Sequence, residues 1–439
     1  MKYSFNVLEN PAASKPMLAA LLCLVAVQTP ACSPDPPPTI EERLLEQPGF
    51  WFAARPDPAL SEHQQRLAAL GYSDGYNPAD GATGVVLNAG DACEPGLNLY
   101  SSGHGSEAVL MDREGTVRHR WGFRYEDLDG APPMEHPSQL GWRRVRMLAD
   151  GSLLAIHGGL ALFKLSHDSK LQWVYPGRAH HDLEVLPDGR ILTLTRRPRI
   201  VPSLNSKRPT VEDFIAVLSP EGELLQELSL IEALRSSSWF NKALEHARTP
   251  ARVAALTMGE VEALDFLHAN SVQILDGSQV KIDRAFAAGN VLVCLRELNA
   301  LVVVDLKRER IIWYREGAWL APHDPRLLPS GNILLFDNLG NHGFSQALEF
   351  DVRTGTERWA YRGEPADQFT SVFCGTARRL AGGNTLLTES CNGRAIEVSP
   401  EGEPVWVFRS PHRAGSDNDL VAVLFEVERI PYDQLHWLD

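Results

Sequence analysis

Val185-Leu-Pro-Asp-Gly189-Arg-Ile-Leu and Leu327-Leu-Pro-Ser-Gly331-Asn-Ile-Leu are two copies of one strand-turn-strand template. It returns as Met147-Leu-Ala-Asp-Gly151-Ser-Leu-Leu and as Arg379-Leu-Ala-Gly-Gly383-Asn-Thr-Leu-Leu, with a looser copy from Val272 to Gly277 that resumes at Gly289-Asn-Val-Leu. Short apolar runs broken by Asp-Gly, Pro-x-Gly and Gly-Asn turns predict paired β-strands. Each copy is followed by a second hairpin ending in an aromatic residue: Trp121, Trp173, Trp313, Trp359 and Trp406. The last three are 46 and 47 residues apart. Four strands in a repeat of this length is the pattern of a propeller blade. The hairpin pairs predict an all-β chain, a six-bladed β-propeller over residues 83–439. The strand-like tail from Val421 to Val427 is placed to pair with early strands, removing an exposed sheet edge.

Outside the repeat, residues 231–266 have a helical pattern and are expected as an insertion capping one face. Residues 39–82 read as a short helical N-terminal arm, and residues 197–215 as a polar insertion. Lys2 and Lys15 precede an apolar run from Met17 to Val27, too short to span a bilayer and suited to a signal peptide over residues 1–32. Ala31-Cys32-Ser33 resembles a bacterial lipoprotein box, although Thr29 stands where an aliphatic residue is usual. The chain is therefore expected outside the cytoplasm, in the periplasm or at the cell surface. Two readings stand: a lipid anchor on Cys32, or a plain cleaved signal. Ser33 to Pro38, with four prolines, follows as an extended tether.

The 439 residues carry a formal net charge of −14, which argues against nucleic-acid binding, since phosphate contacts need clustered Lys and Arg. A few local cations can still hold a small anion. Cys93, Cys294, Cys374 and Cys391 lie in the mature body. Cys374 and Cys391 flank one predicted hairpin, placed either for a cross-strand disulfide or as two buried thiols.

The repeat also serves as a ruler. Eight residues before the turn glycine lie His181, within His180-His181-Asp182, and His323, within His323-Asp324. His268 sits nine residues before Gly277, within His268-Ala-Asn270. In a propeller the first strand of each blade lines the central channel, so one position repeated on several blades converges on one funnel. Equivalent positions hold Arg143 and Gly375, so the blade itself does not require histidine. A purely structural use, bonding neighbouring blades, is the competing reading. Seven residues after the turn glycine lie Arg196, Arg296, Asn338 and Ser390. Arg296 is expected within an apolar strand, Val291 to Arg296, where an unpaired guanidinium is costly. A bound oxyanion would satisfy it, and so would an ion pair with an acidic neighbour such as Glu297 or an aspartate of another blade. A metal on the three histidines is the weaker reading, because a neighbouring arginine opposes a dication. The carboxylate of a His-Asp pair is placed to orient an imidazole.

At these residues the sequence resembles the arylsulfate sulfotransferase family, six-bladed propellers exported to the bacterial periplasm. The resemblance is carried by Pro95-Gly-Leu-Asn-Leu-Tyr100, His180-His181-Asp182, His268-Ala-Asn270-Ser-Val272, Cys294-Leu-Arg296, His323-Asp324, Gly331 to Asn338, and Gly383 to Ser390 with Gly393-Arg394. It implies transfer of a sulfuryl group from an aryl sulfate to a phenol, without a nucleotide sulfate donor or any cofactor. It implies His323 as the nucleophile, with His268, Arg296 and His181 on the sulfuryl oxygens. Asn270, His180, Asn338 and Arg196 are expected to complete the substrate site. Leu339-Gly-Asn-His342 after Asp337-Asn338, and the spacing of Cys374 and Cys391, depart from the family pattern. Two other classes compete: a non-catalytic exported scaffold, and a quinone-cofactor dehydrogenase, for whose usual eight blades the chain is too short.

Overall fold

Gly189 and Gly331 take φ of +84° and +83°, the left-handed backbone that lets two strands reverse over a Pro-x-Gly turn without a Cβ clash. The computed structural model describes residues 75–79, 81–131, 141–247, 264–364, 367–415 and 418–438. These residues are mostly β and propeller-like. Besides two small sheets, six sheets of four or five strands follow one another. The strands that begin the repeats are Trp142–Met147, Ala179–Val185, Ala269–Ile274, His323–Leu327 and Thr376–Arg379. The C-terminal strand Leu424–Ile430 pairs antiparallel with Leu97–Ser102, so the first sheet takes its fourth strand from the tail. Each of these six strands touches its counterpart in the next sheet, and Leu424–Ile430 touches Trp142–Met147.

The recurrent tryptophans join one sheet to the next. Trp121 donates its indole N–H to Gly151 O at 3.0 Å and Trp173 to Pro220 O at 3.1 Å. Trp359 donates to Pro400 O at 2.9 Å and Trp406 to Arg113 O at 2.8 Å. Each acceptor lies in a hairpin turn of the following sheet, and Trp406 reaches from the last sheet to the first. The rings of Trp121 and Trp406 are fully buried and those of Trp173 and Trp359 half-buried, and a large ring with its one donor satisfied explains why the repeat keeps tryptophan there.

Near the meeting point of the six strands, buried charges close an alternating loop. Arg144 meets Asp182 at 3.2 Å and Glu426 at 2.5 Å. Arg326 meets Asp182 at 3.3 Å and Asp324 at 3.0 Å, and Arg378 meets both Asp324 and Glu426 at 3.0 Å. Asp182 and Asp324 also accept backbone N–H groups of neighbouring sheets, from Val272 at 3.0 Å and Ala377 at 3.3 Å. The carboxylates of the two His-Asp pairs therefore tie sheets together and do not orient the imidazoles beside them. Burial pushes the Asp324 carboxyl up to about 7. Burial opposes ionisation of Glu426 too, but Arg144 and Arg146 hold it below the usual carboxylate range.

Several expectations need adjustment. Helices occupy Leu230–Arg235, capped by Ser229 accepting from Glu232 N at 3.0 Å, and Phe240–Ala247; the predicted helical segment also includes residues 248–263, outside the described residues. The first helix packs on strands Asn205–Leu218 and Arg310–Glu316. Gly75–Pro78, read as helical, is a strand paired with Leu420–Ala422; a tetrapeptide bounded by Gly and Pro suits an edge better than a helix. The polar stretch 197–215 is the extension of a long hairpin, paired from Arg196 with Asp213 out to Val201 with Asn205. Cys374 and Cys391 are free thiols, so the disulfide reading is not met. The predicted signal, tether and most of the N-terminal arm lie outside the described residues.

Candidate functional site

His323 opens its strand with only 5% of its surface exposed. Its Nδ1 faces Asn338 Oδ1 at 2.7 Å and Ala321 O at 3.1 Å. Asn338 donates both amide protons, to Ser371 O at 2.6 Å and Cys374 O at 2.7 Å, so its oxygen must be the atom turned toward the ring. Two acceptors then face Nδ1. That nitrogen carries the proton, and Nε2 keeps its lone pair. Burial, and next the charge of Arg296, lower the His323 pKa to about 3, so the ring is neutral near pH 7. The carbonyl just before it, Pro322 O, accepts from Asn270 Nδ2 at 2.8 Å and Cys294 Sγ at 3.1 Å. Both ends of the residue are pinned.

The other two histidines take left-handed backbone, His181 inside the bulge of its strand and His268 just before strand Ala269–Ile274. His181 has φ of +58° and His268 +49°. Their rings meet edge to face with centroids 4.9 Å apart. His268 acts electrostatically on His323, as does Arg296, which places the three histidines of separate sheets in one neighbourhood. His268 Nδ1 is paired with Asp265. Burial pushes Asp265 upward, but His268, Arg196 and Arg296 hold it below the usual carboxylate range, so it pairs as an anion. This Asp-x-x-His pair, Asp265-Phe-Leu-His268, stands in the chain as plainly as the His-Asp dipeptides, but strand spacing does not single it out.

His180 is buried, with Nε2 at 3.3 Å from Asp213 Oδ1 and Nδ1 at 2.7 Å from Nδ1 of His181. Asp213 also accepts from Ala269 N at 2.8 Å. Asp213, His180 and His181 thus lie in contact in that order. Burial, then His268 and His180, hold the His181 pKa well below its ordinary value. Of the residues expected on the substrate, Asn338 spends its polar atoms on the protein, whereas Asn270 donates its amide to Pro322 O and keeps a buried Oδ1 without a hydrogen-bond partner among the described residues.

Arg296 starts a single helical turn whose N–H bonds His268 O at 3.3 Å. Its guanidinium pairs with Glu297, the neighbour that competed with an anion in the sequence reading. Arg196 lies opposite Asp213 in the ladder, and burial lowers its pKa against the pull of Asp265 and Asp213. Arg143 and Arg178 share its electrostatic environment, and Arg143 also acts on His181. The fold brings Arg143 to the histidines from another sheet, whereas Arg178 stands two residues before His180 in the chain. The neighbourhood is locally cationic within an acidic chain.

A family model described as Arylsulfotransferase (ASST) matches residues 161–411, which include His181, His268, Arg296 and His323. Similar solved structures include a protein of unknown function from Bacteroides caccae, 12% identical over 75% of this chain and 98% of that one, with a TM-score of 0.46. A streptogramin B lyase is 11% identical over 81% of this chain and 96% of its own, with a TM-score of 0.42. The Dos1 propeller is 12% identical over 72% of this chain and 73% of its own, with a TM-score of 0.40. No curated protein matches.

Proposed function

Because the chain belongs to the arylsulfotransferase family, we propose that it moves a sulfuryl group from an aryl sulfate ester to a phenol through a sulfo-histidine on His323. The observation that carries this reading is the fixed tautomer of His323, whose protonated Nδ1 leaves Nε2 as a nucleophile. In the first displacement the Nε2 lone pair forms the N–S bond as the ester S–O bond breaks and a phenolate departs. In the second, the acceptor oxygen attacks sulfur, its proton is released, and the S–N bond breaks to return neutral His323. Splitting one transfer into two displacements is the use of a covalent nucleophile. Arg296, His268 and His181 are assigned to the sulfuryl oxygens, where cationic and polar donors stabilise developing charge. Asn338, Asn270 and His180 are positioning residues, and Arg196 contributes to the cationic surround.

The same reading takes the six sheets as six blades closed by Leu424–Ile430, a view supported by that strand's pairing with Leu97–Ser102 and by the loop of alternating charges. It places the chain outside the cytoplasm, with Cys32 as a candidate anchor. The test of activity is transfer from a chromogenic aryl sulfate to a phenol, comparing wild type with His323→Ala at matched thermal stability. Loss of turnover in the variant supports the reading; equal inertness of both across a panel of donors and phenols removes its support.

A further inference from the structure

A second histidine group lies outside the proposed sulfuryl site. His104 sits in the turn between strands Leu97–Ser102 and Glu107–Met111, and His412 follows strand Pro404–Arg409 of another sheet. Their rings stack with centroids 3.4 Å apart and 10° between planes. His104 Nε2 is 2.8 Å from Glu107 Oε1, and one atom from each of His104, Glu107 and His412 lies within 4.8 Å of the others. All three are partly exposed, and His104 and Glu107 border a solvent-open pocket of about 610 Å³ that Glu126 and Asp127 also line.

We propose that His104, Glu107 and His412 bind a zinc-class dication, apart from the cluster around His323. Two imidazoles and a carboxylate are donors suited to zinc and poorly suited to magnesium or calcium. Zinc–nitrogen distances of about 2.0–2.1 Å put neighbouring donors of a tetrahedral site roughly 3.3 Å apart, so one imidazole must turn out of the stack for both in-plane lone pairs to reach one ion. Three protein ligands leave a fourth position open to water or a ligand from the pocket. The orienting partners that such ligands need are in place. Ser102 Oγ bonds His104 Nδ1, and the Tyr100 hydroxyl lies 3.2 Å from His412 Nε2. Arg120 occupies Glu107 Oε1 at 3.0 Å from a half-exposed position, which leaves Oε2 for the ion.

The test is calorimetric titration of the tag-free, chelator-treated full chain with zinc chloride, with magnesium chloride as control. One equivalent of zinc should bind, and His412→Ala and Glu107→Gln should each weaken it tenfold or more, with unchanged melting temperature before zinc is added. Cobalt(II) added to wild type should give the visible absorption of a four- or five-coordinate nitrogen–oxygen site, a readout independent of how the variants fold. Absence of stoichiometric zinc binding, or of that absorption, overturns the proposal. So does binding that survives both variants and is lost in His268→Ala, which would move the ion to the other cluster.

Discussion

The side-chain oxygen of Asn338 accepts from Nδ1 of His323 at 2.7 Å, and the same amide is anchored through its nitrogen to two backbone carbonyls. The orientation of one asparagine therefore decides which imidazole nitrogen keeps its lone pair. Asn338→Ala should lower kcat by about 10–100-fold, the usual effect of losing a partner that orients a functional histidine, with little change in KM. Asn338→Asp should raise the His323 pKa and move the acid limb of the kcat profile upward. Rate–pH profiles of both variants check this; a fall in KM affinity with unchanged kcat would refute it.

The charge loop should dominate stability. Arg144→Ala leaves buried Asp182 and Glu426 each short of a partner and should cost about 3–5 kcal/mol, the range for breaking a buried ion pair from one side. Denaturant unfolding measures it. A loss below about 1 kcal/mol would mean that water or rearranged partners replace the guanidinium.

The tryptophan contacts make a graded prediction. Trp406→Phe keeps most of the buried ring and loses the bond to Arg113 O, so it should cost about 1 kcal/mol. Trp406→Ala should cost about 3–5 kcal/mol. Equal losses in the two variants would show that the hydrogen bond, not the ring, holds that contact.

Acid should destabilise the fold through the site histidines. His323 titrates near 3 when folded and near 6.5 when unfolded, so between these values the unfolded chain binds the extra proton. Stability from this group is complete above pH 6.5 and is lost as the pH falls toward 3. Burial displaces His180 and His181 in the same direction. Denaturant melts from pH 7 to 4 should therefore show a shallower decline for His323→Gln than for wild type. Parallel declines would assign the acid sensitivity to other groups.

Much of this was legible in the chain. Turn glycines such as Gly189 and tryptophans such as Trp406 recur because each strand reversal and each sheet-to-sheet contact poses the same steric problem. That periodicity also brought His181, His268 and His323 to one place. It could not tell which carboxylate serves which histidine. Asp182 and Asp324 follow their histidines directly, yet the bulge turns them toward Arg144, Arg326 and Arg378. Asp265 reaches His268 from a two-residue strand held by a hairpin extension, Asp213 reaches His180 across the ladder, and Asn338 is fixed by carbonyls near Cys374. Such partners depend on side-chain direction, which strand spacing does not encode.

The central claim is a covalent sulfuryl group on one imidazole. Incubating the full chain with an aryl sulfate donor and no acceptor, then mapping peptides by mass spectrometry under conditions that preserve N–S bonds, tests it most directly. The peptide containing His323 should gain the mass of one sulfuryl group and lose it when a phenol is added. An unmodified His323 peptide in a preparation that turns over the same donor, or the added mass on another residue, would contradict the account.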